Sequence, residues 1–372
     1  MKFCIITHVE HKKEEERFFA YAPYVREMNI WFKYVHTVII VAPVQEKSTT
    51  PIDLAYKANQ IIFKAVPTFE LTSVKELLAT IFKVPLLLVQ IFKAMKAADH
   101  IHLRCPGNMG LLGCLVQILF PSKPKSAKYA GNWDPSSKQP WSYRLQKWIL
   151  SNTFLTRNMQ VLVYGEWTNS SSNVKHFFTA SYYQSEIIPV QTLPKIEEAR
   201  FVFAGSLVSG KNPQYAIELV EQLRKVYPYI RLDLYGEGAL KVSLKQYLSN
   251  KKMENTVVFH GNQNAETLKK AYQNSHFVIL PSKSEGWPKV IAEGMFWGCV
   301  PIATAVSCVP SMLGNGSRGI ILEMDLKDDF QKIKETIQNK ERYSNLRNEA
   351  SSWSRIYTLD FFEEEIKKIL QA

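Results

Sequence analysis

The stretch "HFVILPSKSEGWPKVIAEGMFWG", residues 276–298, runs from an apolar strand-like segment through a Gly/Trp/Pro loop into a segment of helical apolar periodicity. Two glutamates stand in it, Glu285 in the loop and Glu293 inside the helix. Strand, loop and helix in that order belong to a βαβ pattern and hence to a parallel sheet, whose ligands bind beyond the carboxyl ends of the strands. Pro288 suits the first helical turn, where a missing N–H costs nothing. The unpaired N–H groups of the helix start, with Gly286 and the helix dipole, make an anion site in which a diphosphate is at home. The carboxylates then read as hydroxyl acceptors, each able to take two charge-assisted hydrogen bonds from vicinal hydroxyls of a sugar or a ribose.

The same alternation extends in both directions. Strand-like segments at 2–9, 37–43, 100–106, 127–133 and 160–165 are separated by a helix from Pro23 and by the helix-like "GLLGCLVQILF". The stretch 188–199, "IPVQTLPKIEEA", has two prolines and no periodicity and marks a domain boundary. Beyond it strands at 201–205, 230–235, 256–260, 276–280 and 300–303 alternate with amphipathic helices. The reading is α/β, two doubly wound domains in tandem, at 1–192 and 198–355, with a final helix over 356–372.

The 372 residues suit two domains, and 46% hydrophobic and 22% charged residues are a globular composition. "MKFCIITHVEHKK" has no secretory apolar region, and the apolar runs near 84–92 and 111–120 fall short of a membrane span. A cytoplasmic protein is expected. The five cysteines form no CxxC and suit reduced, buried thiols better than a disulfide frame or a zinc site. The net charge of +12 sits mostly in the first half, where residues 1–195 hold 23 Lys/Arg against 13 Asp/Glu. An anionic partner, phosphate groups or a lipid surface, fits that asymmetry. In 73–98, Lys75, Glu76, Lys83, Gln90, Lys93 and Lys96 fall within roughly a 160° arc of a helical wheel, the rest being apolar. This reads either as an interfacial helix on an anionic membrane or as a core helix, or two helices with Pro85 opening the second. No nucleic-acid motif accompanies the basic charge.

The segment "PSKSEGWPKVIAEGMFWGCVPIATAVSCVP" resembles the donor-site signature of retaining glycosyltransferases of family 4, which have the GT-B fold. "FAGSLVSGKNP" at 203–213, "LYGEG" at 234–238 and "VVFHGN" at 257–262 are similar to that family's other motifs in the second domain. The likeness covers residues 200–322 well and the first half only in outline. It implies two Rossmann-like domains with a cleft between them, the last helix returning to the first domain. It also implies roles: Glu285, with the backbone of Gly286, Trp287, Pro288 and Lys289, would hold a donor hexose. Glu293 would take the ribose, and Lys211 the diphosphate. Gly205, Ser206, Gly236, Gly261, Asn262 and Ser282 would line the nucleotide, with Gly236 and the loop at His260, Gly261 and Asn262 near the nucleobase.

Ser206 stands where the family commonly has Arg, so Arg104 of the first half is expected to share the phosphate charge or to contact the acceptor. His102 lies on the same strand face, and His8 and Asp134 are further candidates. The glycine-rich loop usual after the first strand is absent from "THVEHKKEEERFFAYAP", which reads as a long charged loop. No metal or other cofactor is implied, since no DxD pair or His/Asp cluster occurs.

The leading expectation is retaining transfer of a hexose from a nucleotide diphosphate sugar, UDP favoured over GDP. The acceptor would be a glycan or lipid-linked molecule in surface polysaccharide or glycoconjugate assembly. The alternatives are a binding protein of this fold without turnover and a nucleotide-sugar epimerase. A dinucleotide oxidoreductase fits less well, because "GEGALK" lacks the third glycine of GxGxxG.

Overall fold

The computed structural model describes residues 1–50, 52–67 and 74–371, with side chains described from Val84 onward in the segment that starts at Val74. The chain divides into two compact units, Met1–Phe178 with Phe362–Ala372, and Thr179–Phe361.

The first unit holds β1 (Lys2–Ile6), β2 (His11–Glu14), β3 (Arg17–Tyr21), α1 (Ala22–Phe32), β4 (Thr37–Gln45), β5 (Asp53–Ala55), β6 (Gln60–Val66) and α2 (Val74–Ala97). It continues with β7 (His100–Cys105), α3 (Asn108–Val116), β8 (Lys125–Tyr129), α4 (Trp141–Ser151), β9 (Met159–Tyr164) and β10 (Val174–Phe177). The parallel strands run in the order β10-β9-β8-β7-β1-β4, with β6 also on β4. Strands β1, β4 and β7 are buried almost throughout, as in a parallel sheet covered on both faces; β1 and β4 read as near-continuous apolar runs, whereas β7, HIHLRC, buries His100 and His102 among its apolar residues. On one face Leu87, Ile91 and Met95 of α2, Met109 and Leu112 of α3, and Ile149 and Leu150 of α4 close over Ile6, Leu103 and Val161.

The charged segment after β1 is not the loop expected. It folds as an antiparallel hairpin, His11 opposite Ala20 and Glu14 opposite Arg17, turned at Glu15 in the left-handed region (φ 52°). Lys13, Glu14 and Arg17 are exposed, Lys12 pairs with Asp53 at 2.6 Å, and His11 is fully buried, its Nε2 2.7 Å from the Tyr56 hydroxyl and its Nδ1 2.7 Å from the Val9 carbonyl.

The second unit holds β11 (Arg200–Ala204), α5 (Pro213–Arg224), β12 (Arg231–Tyr235), α6 (Lys241–Asn250), β13 (Val257–Gly261), α7 (Ala265–Gln273), β14 (Phe277–Leu280) and α8 (Lys289–Phe296). After these come β15 (Val300–Thr304), α9 (Val309–Met312), β16 (Ile320–Leu322), α10 (Leu326–Gln338) and α11 (Lys340–Ser354). All six strands are parallel, in the order β13-β12-β11-β14-β15-β16. Residues 179–192, read from the sequence with the first domain, lie in this unit, where Lys269 pairs with Glu186 at 2.9 Å.

The last helix, α12 (Leu359–Gln371), buries Phe362, Ile366 and Ile369, and the Phe362 ring meets Phe177 edge-on at 5.4 Å within the first unit. All five cysteines are free and buried.

Burial pushes the pKa values of His11, His100 and His276 down to about 4. Each stays neutral in the folded chain while its unfolded counterpart takes up a proton near pH 6.5. Stability is therefore complete above the unfolded pKa and falls as the pH drops from about 6.5 towards 4. The urea midpoint is expected to be lower at pH 5 than at pH 7.5; an unchanged midpoint would show that these imidazoles titrate normally.

Candidate functional site

The carboxyl ends of β11 to β14 carry four loops tied to one another through the main chain. Gly205 N–H donates to the Tyr235 carbonyl (2.9 Å) and Leu207 N–H to that of Glu237 (2.9 Å). Gly236 N–H donates to Gly261 (2.8 Å) and Lys283 N–H to Gly210 (2.9 Å). The approach of the first two loops needs glycine: a Cβ on Gly236 would sit 2.0 Å from the Gly205 carbonyl oxygen, and the residue has φ +143°.

This framework brings Lys211 to Glu285. The Nζ lies 2.5 Å from Oε1, and the carboxylate side chain is 8% exposed against 32% for the lysine. Lys211 precedes Asn212, which takes a left-handed conformation (φ 52°) to open α5 at Pro213. Glu285 sits in the β14–α8 loop, where Ser307 Oγ (3.2 Å) and Cys308 Sγ (3.0 Å) both donate to the Gly286 carbonyl. Thr304 Oγ1 donates to the Ser282 carbonyl, and the buried Ser282 hydroxyl has no partner among the described residues. Trp287 is buried, its ring 5.5 Å from that of Tyr357.

Helix α8 begins at Lys289 with Pro288 as its N-cap and no side-chain cap, so Pro288 stands one position before the first turn assigned to it from the sequence. Pro288 has no side chain that could cap the first turn of α8, and a helix start of this kind favours an anion. Ser206 and Asn262 are exposed. Glu293, one turn into α8, is held on both oxygens: Ser181 Oγ donates to Oε1 (2.5 Å) and the Tyr272 hydroxyl to Oε2 (3.3 Å). Burial and the charge of Glu293 push the Tyr272 pKa well up, so this phenol stays a donor.

In the first unit Arg104 lies at the end of β7 and is engaged internally. Its Nη1 is 2.8 Å from Glu27 Oε1, which also takes the fully buried Lys128 Nζ at 3.0 Å, and the guanidinium lies over the Tyr24 ring at 5.4 Å. Burial opposes the Arg104 charge, but Glu27 with Tyr164 and Tyr24 outweighs it and the pKa is raised. His102 has no solvent access: it packs between Phe3 and Trp31, with Nδ1 2.8 Å from Ser126 Oγ, and burial holds it neutral. Asp134 accepts the Ser136 N–H (2.8 Å) in a turn, and His8 is exposed beside Gly107 at the start of α3.

Of the residues expected from the sequence, the structure brings Lys211 and Glu285 together; Ser181 and Tyr272, which bond Glu293, and Glu27, which bonds Arg104, were not singled out. Nothing in the stretches around Ser181 and Glu27 marks them, since their partners lie 112 and 77 residues away.

Among curated proteins, an uncharacterized glycosyltransferase of Haemophilus influenzae is 28% identical over 188 residues, 50% of this chain and 52% of that protein. The chain spans about half the length of the curated relatives it matches. Among solved structures, Anabaena HepE in complex with UDP and glucose has a TM-score of 0.69 at 13% identity, with 100% of this chain and 99% of that chain covered. Sucrose-phosphate synthase from Thermosynechococcus elongatus has a TM-score of 0.67 at 14% identity, with 100% and 98% covered. The fold is GT-B, two Rossmann-like α/β domains in tandem. Residues 184–353, which carry Lys211, Glu285 and Glu293, match the family model described as glycosyl transferases group 1.

Proposed function

We propose that this protein is a retaining glycosyltransferase of family 4 that moves a hexose from a UDP-sugar onto a glycan or lipid-linked acceptor. The observation that carries the reading is the Lys211–Glu285 pair at 2.5 Å, with Glu285 on the loop that leads into α8. A bound diphosphate takes the Lys211 ammonium and the first N–H groups of α8. Glu285, released from its lysine, accepts hexose hydroxyls, and Glu293 exchanges Ser181 for the ribose. The bond from the anomeric carbon to the phosphate oxygen breaks as the acceptor oxygen attacks the same face, and the acceptor proton passes to the departing phosphate. Charge developing on that phosphate meets Lys211 and the helix dipole, which the reading uses in place of a metal ion. The choice of UDP is supported by the fold shared with HepE, a protein solved with UDP and glucose.

UDP is expected to stabilise the chain against heat, by about 2.7 kcal/mol at 100 times its dissociation constant. GDP and ADP should shift it less. No shift with millimolar UDP would remove the donor site.

The reading places the enzyme on the cytosolic face of an anionic membrane, in surface polysaccharide or glycoconjugate assembly. No described helix is long and apolar enough to cross a membrane. Helix α2 buries Leu87, Ile91 and Met95 yet exposes Leu86 (58%), Val89 (48%) and Phe92 (37%) beside the exposed Lys93 and Lys96. The helix is therefore core on one side and on the other presents apolar side chains interspersed with lysines; its part before Val84 lies outside the described side chains. Vesicles containing phosphatidylglycerol should co-sediment the protein, phosphatidylcholine vesicles should not, and Leu86→Ser with Val89→Ser should weaken the binding. Equal recovery with both vesicle types would argue against an electrostatic membrane contact.

A further inference from the structure

Parallel sheets are ordinarily covered on both faces. In the second unit one face of β12 and β13 departs from this. Leu232 and Leu234 of β12 are buried on one side, whereas Asp233 and Tyr235, with His260 of β13, project into a groove of about 510 Å³ beside α7. Its other lining residues include Arg200, Arg231, Lys270, Thr267 and Asn274. The groove runs from the amino ends of β11 and β12, at Arg200 and Arg231, along the sheet face to Tyr235 and His260, which directly precede Gly236 and Gly261 of the loops at the carboxyl ends.

The charges in this groove are unbalanced. Arg200 and Arg231 stand directly opposite each other in the β11–β12 register, an arrangement of like charges on neighbouring strands that opposes folding. Asp233 is the acid among the lining residues, and one of its oxygens already serves both Arg231 (Nη2 2.9 Å) and His260 (Nε2 2.6 Å). Among the described residues, no ion pair engages Arg200 or Lys270. An anion lying between the two arginines and Lys270 relieves the repulsion. At the other end of the groove the rings of Tyr235 and His260 are stacked on each other at 4.4 Å and 10°, which fixes the pair and leaves an outer ring face on which the C–H face of a pyranose can lie. Thr267 and Asn274 supply hydroxyl and amide groups for sugar hydroxyls. The volume lies in the range of small-molecule sites.

We propose that this groove is a second binding site, for a phosphate-bearing hexose. The phosphate is held by Arg200, Arg231 and Lys270, and the sugar ring lies on an outer face of the Tyr235–His260 stack. Such a ligand has two sources, a free hexose phosphate or a phosphate-bearing residue of a longer glycan; the chemistry recognised is the same.

The test is calorimetric titration of the full chain at low salt with saturating UDP present, using glucose 6-phosphate, glucose and inorganic phosphate as probes, and a phosphate-bearing oligosaccharide as a fourth. Glucose 6-phosphate is expected to bind, at least tenfold more tightly than phosphate and more tightly than glucose. The double variant Arg200→Ala/Lys270→Ala should weaken it at least tenfold and leave UDP binding unchanged, and Tyr235→Ala should bring it down to the level of phosphate. Tighter binding of the oligosaccharide than of glucose 6-phosphate assigns the site to a glycan, and the reverse order to a free metabolite; either supports the proposal. No glucose 6-phosphate binding at millimolar concentration, or binding unaltered in the double variant, overturns it. Equal affinity for phosphate and glucose 6-phosphate overturns the assignment to a sugar. Because the titration reads heat from these probes and not turnover, it stands or falls independently of the transferase reading.

Discussion

Replacement of Glu285 by alanine is expected to lower kcat by about two to three orders of magnitude while the fold persists. The carboxylate sits at 2.5 Å from Lys211 and, in the proposed reaction, changes partner from lysine to hexose as the diphosphate arrives. Without it the sugar lacks its hydroxyl acceptor and the anomeric carbon is no longer held against the acceptor oxygen. Folding should hardly notice, because Lys211 is one-third exposed and water takes over its solvation; loss of such a pair costs on the order of 1 kcal/mol or less. Steady-state turnover of a UDP-sugar with matched urea unfolding separates the two effects. Near-normal kcat in Glu285→Ala would remove the residue from the mechanism, and a collapse of stability would make it a structural acid. Lys211→Ala should weaken UDP binding as well as turnover, because the lysine meets the diphosphate and the glutamate does not.

The largest expected effect on stability lies in the first unit. Glu27 is 5% exposed and its Oε1 faces Arg104 at 2.8 Å and the fully buried Lys128 at 3.0 Å. Removing this one carboxylate strands two cations away from water, and breaking a buried pair in this way costs about 3–5 kcal/mol. Glu27→Ala should therefore shift the urea midpoint far down, whereas Arg104→Met, which leaves Lys128 to neutralise Glu27, should cost much less. A small loss in Glu27→Ala would mean that water already solvates the cluster. The Arg104→Met variant carries a second reading: a well-folded protein with weakened acceptor or donor use would support the contact expected of Arg104, and unaltered kinetics would leave it a partner of Glu27.

The second unit was the more legible of the two because its signals are local. Apolar strands, the glycines at their ends and the Glu285 to Glu293 spacing lie in short stretches whose backbone geometry follows from the residues themselves. In the first unit the deciding interactions join distant residues. The hairpin of β2 and β3 was hidden because "HKKEEERF" shows charge where a strand usually shows apolar alternation, and only the pairing with β4 and the contact of His11 with Tyr56 explain it. Arg104 was visible as a cation at a strand end, but Glu27, which engages it, sits on α1 in a sequence that reads as ordinary amphipathic helix. His102 shares the strand face of Arg104, but its neighbours Phe3 and Trp31 make it a core residue, which a single sequence does not disclose.

The four loops at the ends of β11 to β14 hold one another by peptide groups, through Gly205 to Tyr235, Leu207 to Glu237, Gly236 to Gly261 and Gly210 to Lys283. Those bonds do not depend on side-chain identity. Exposed positions such as Ser206 and Asn262 can therefore be exchanged without loosening the frame that sets Lys211 against Glu285. For an engineer wishing to change the nucleotide or sugar accepted, such positions form a palette that can be randomised, while Gly236, with the Gly205 oxygen 2.0 Å from where its Cβ would be, must be kept.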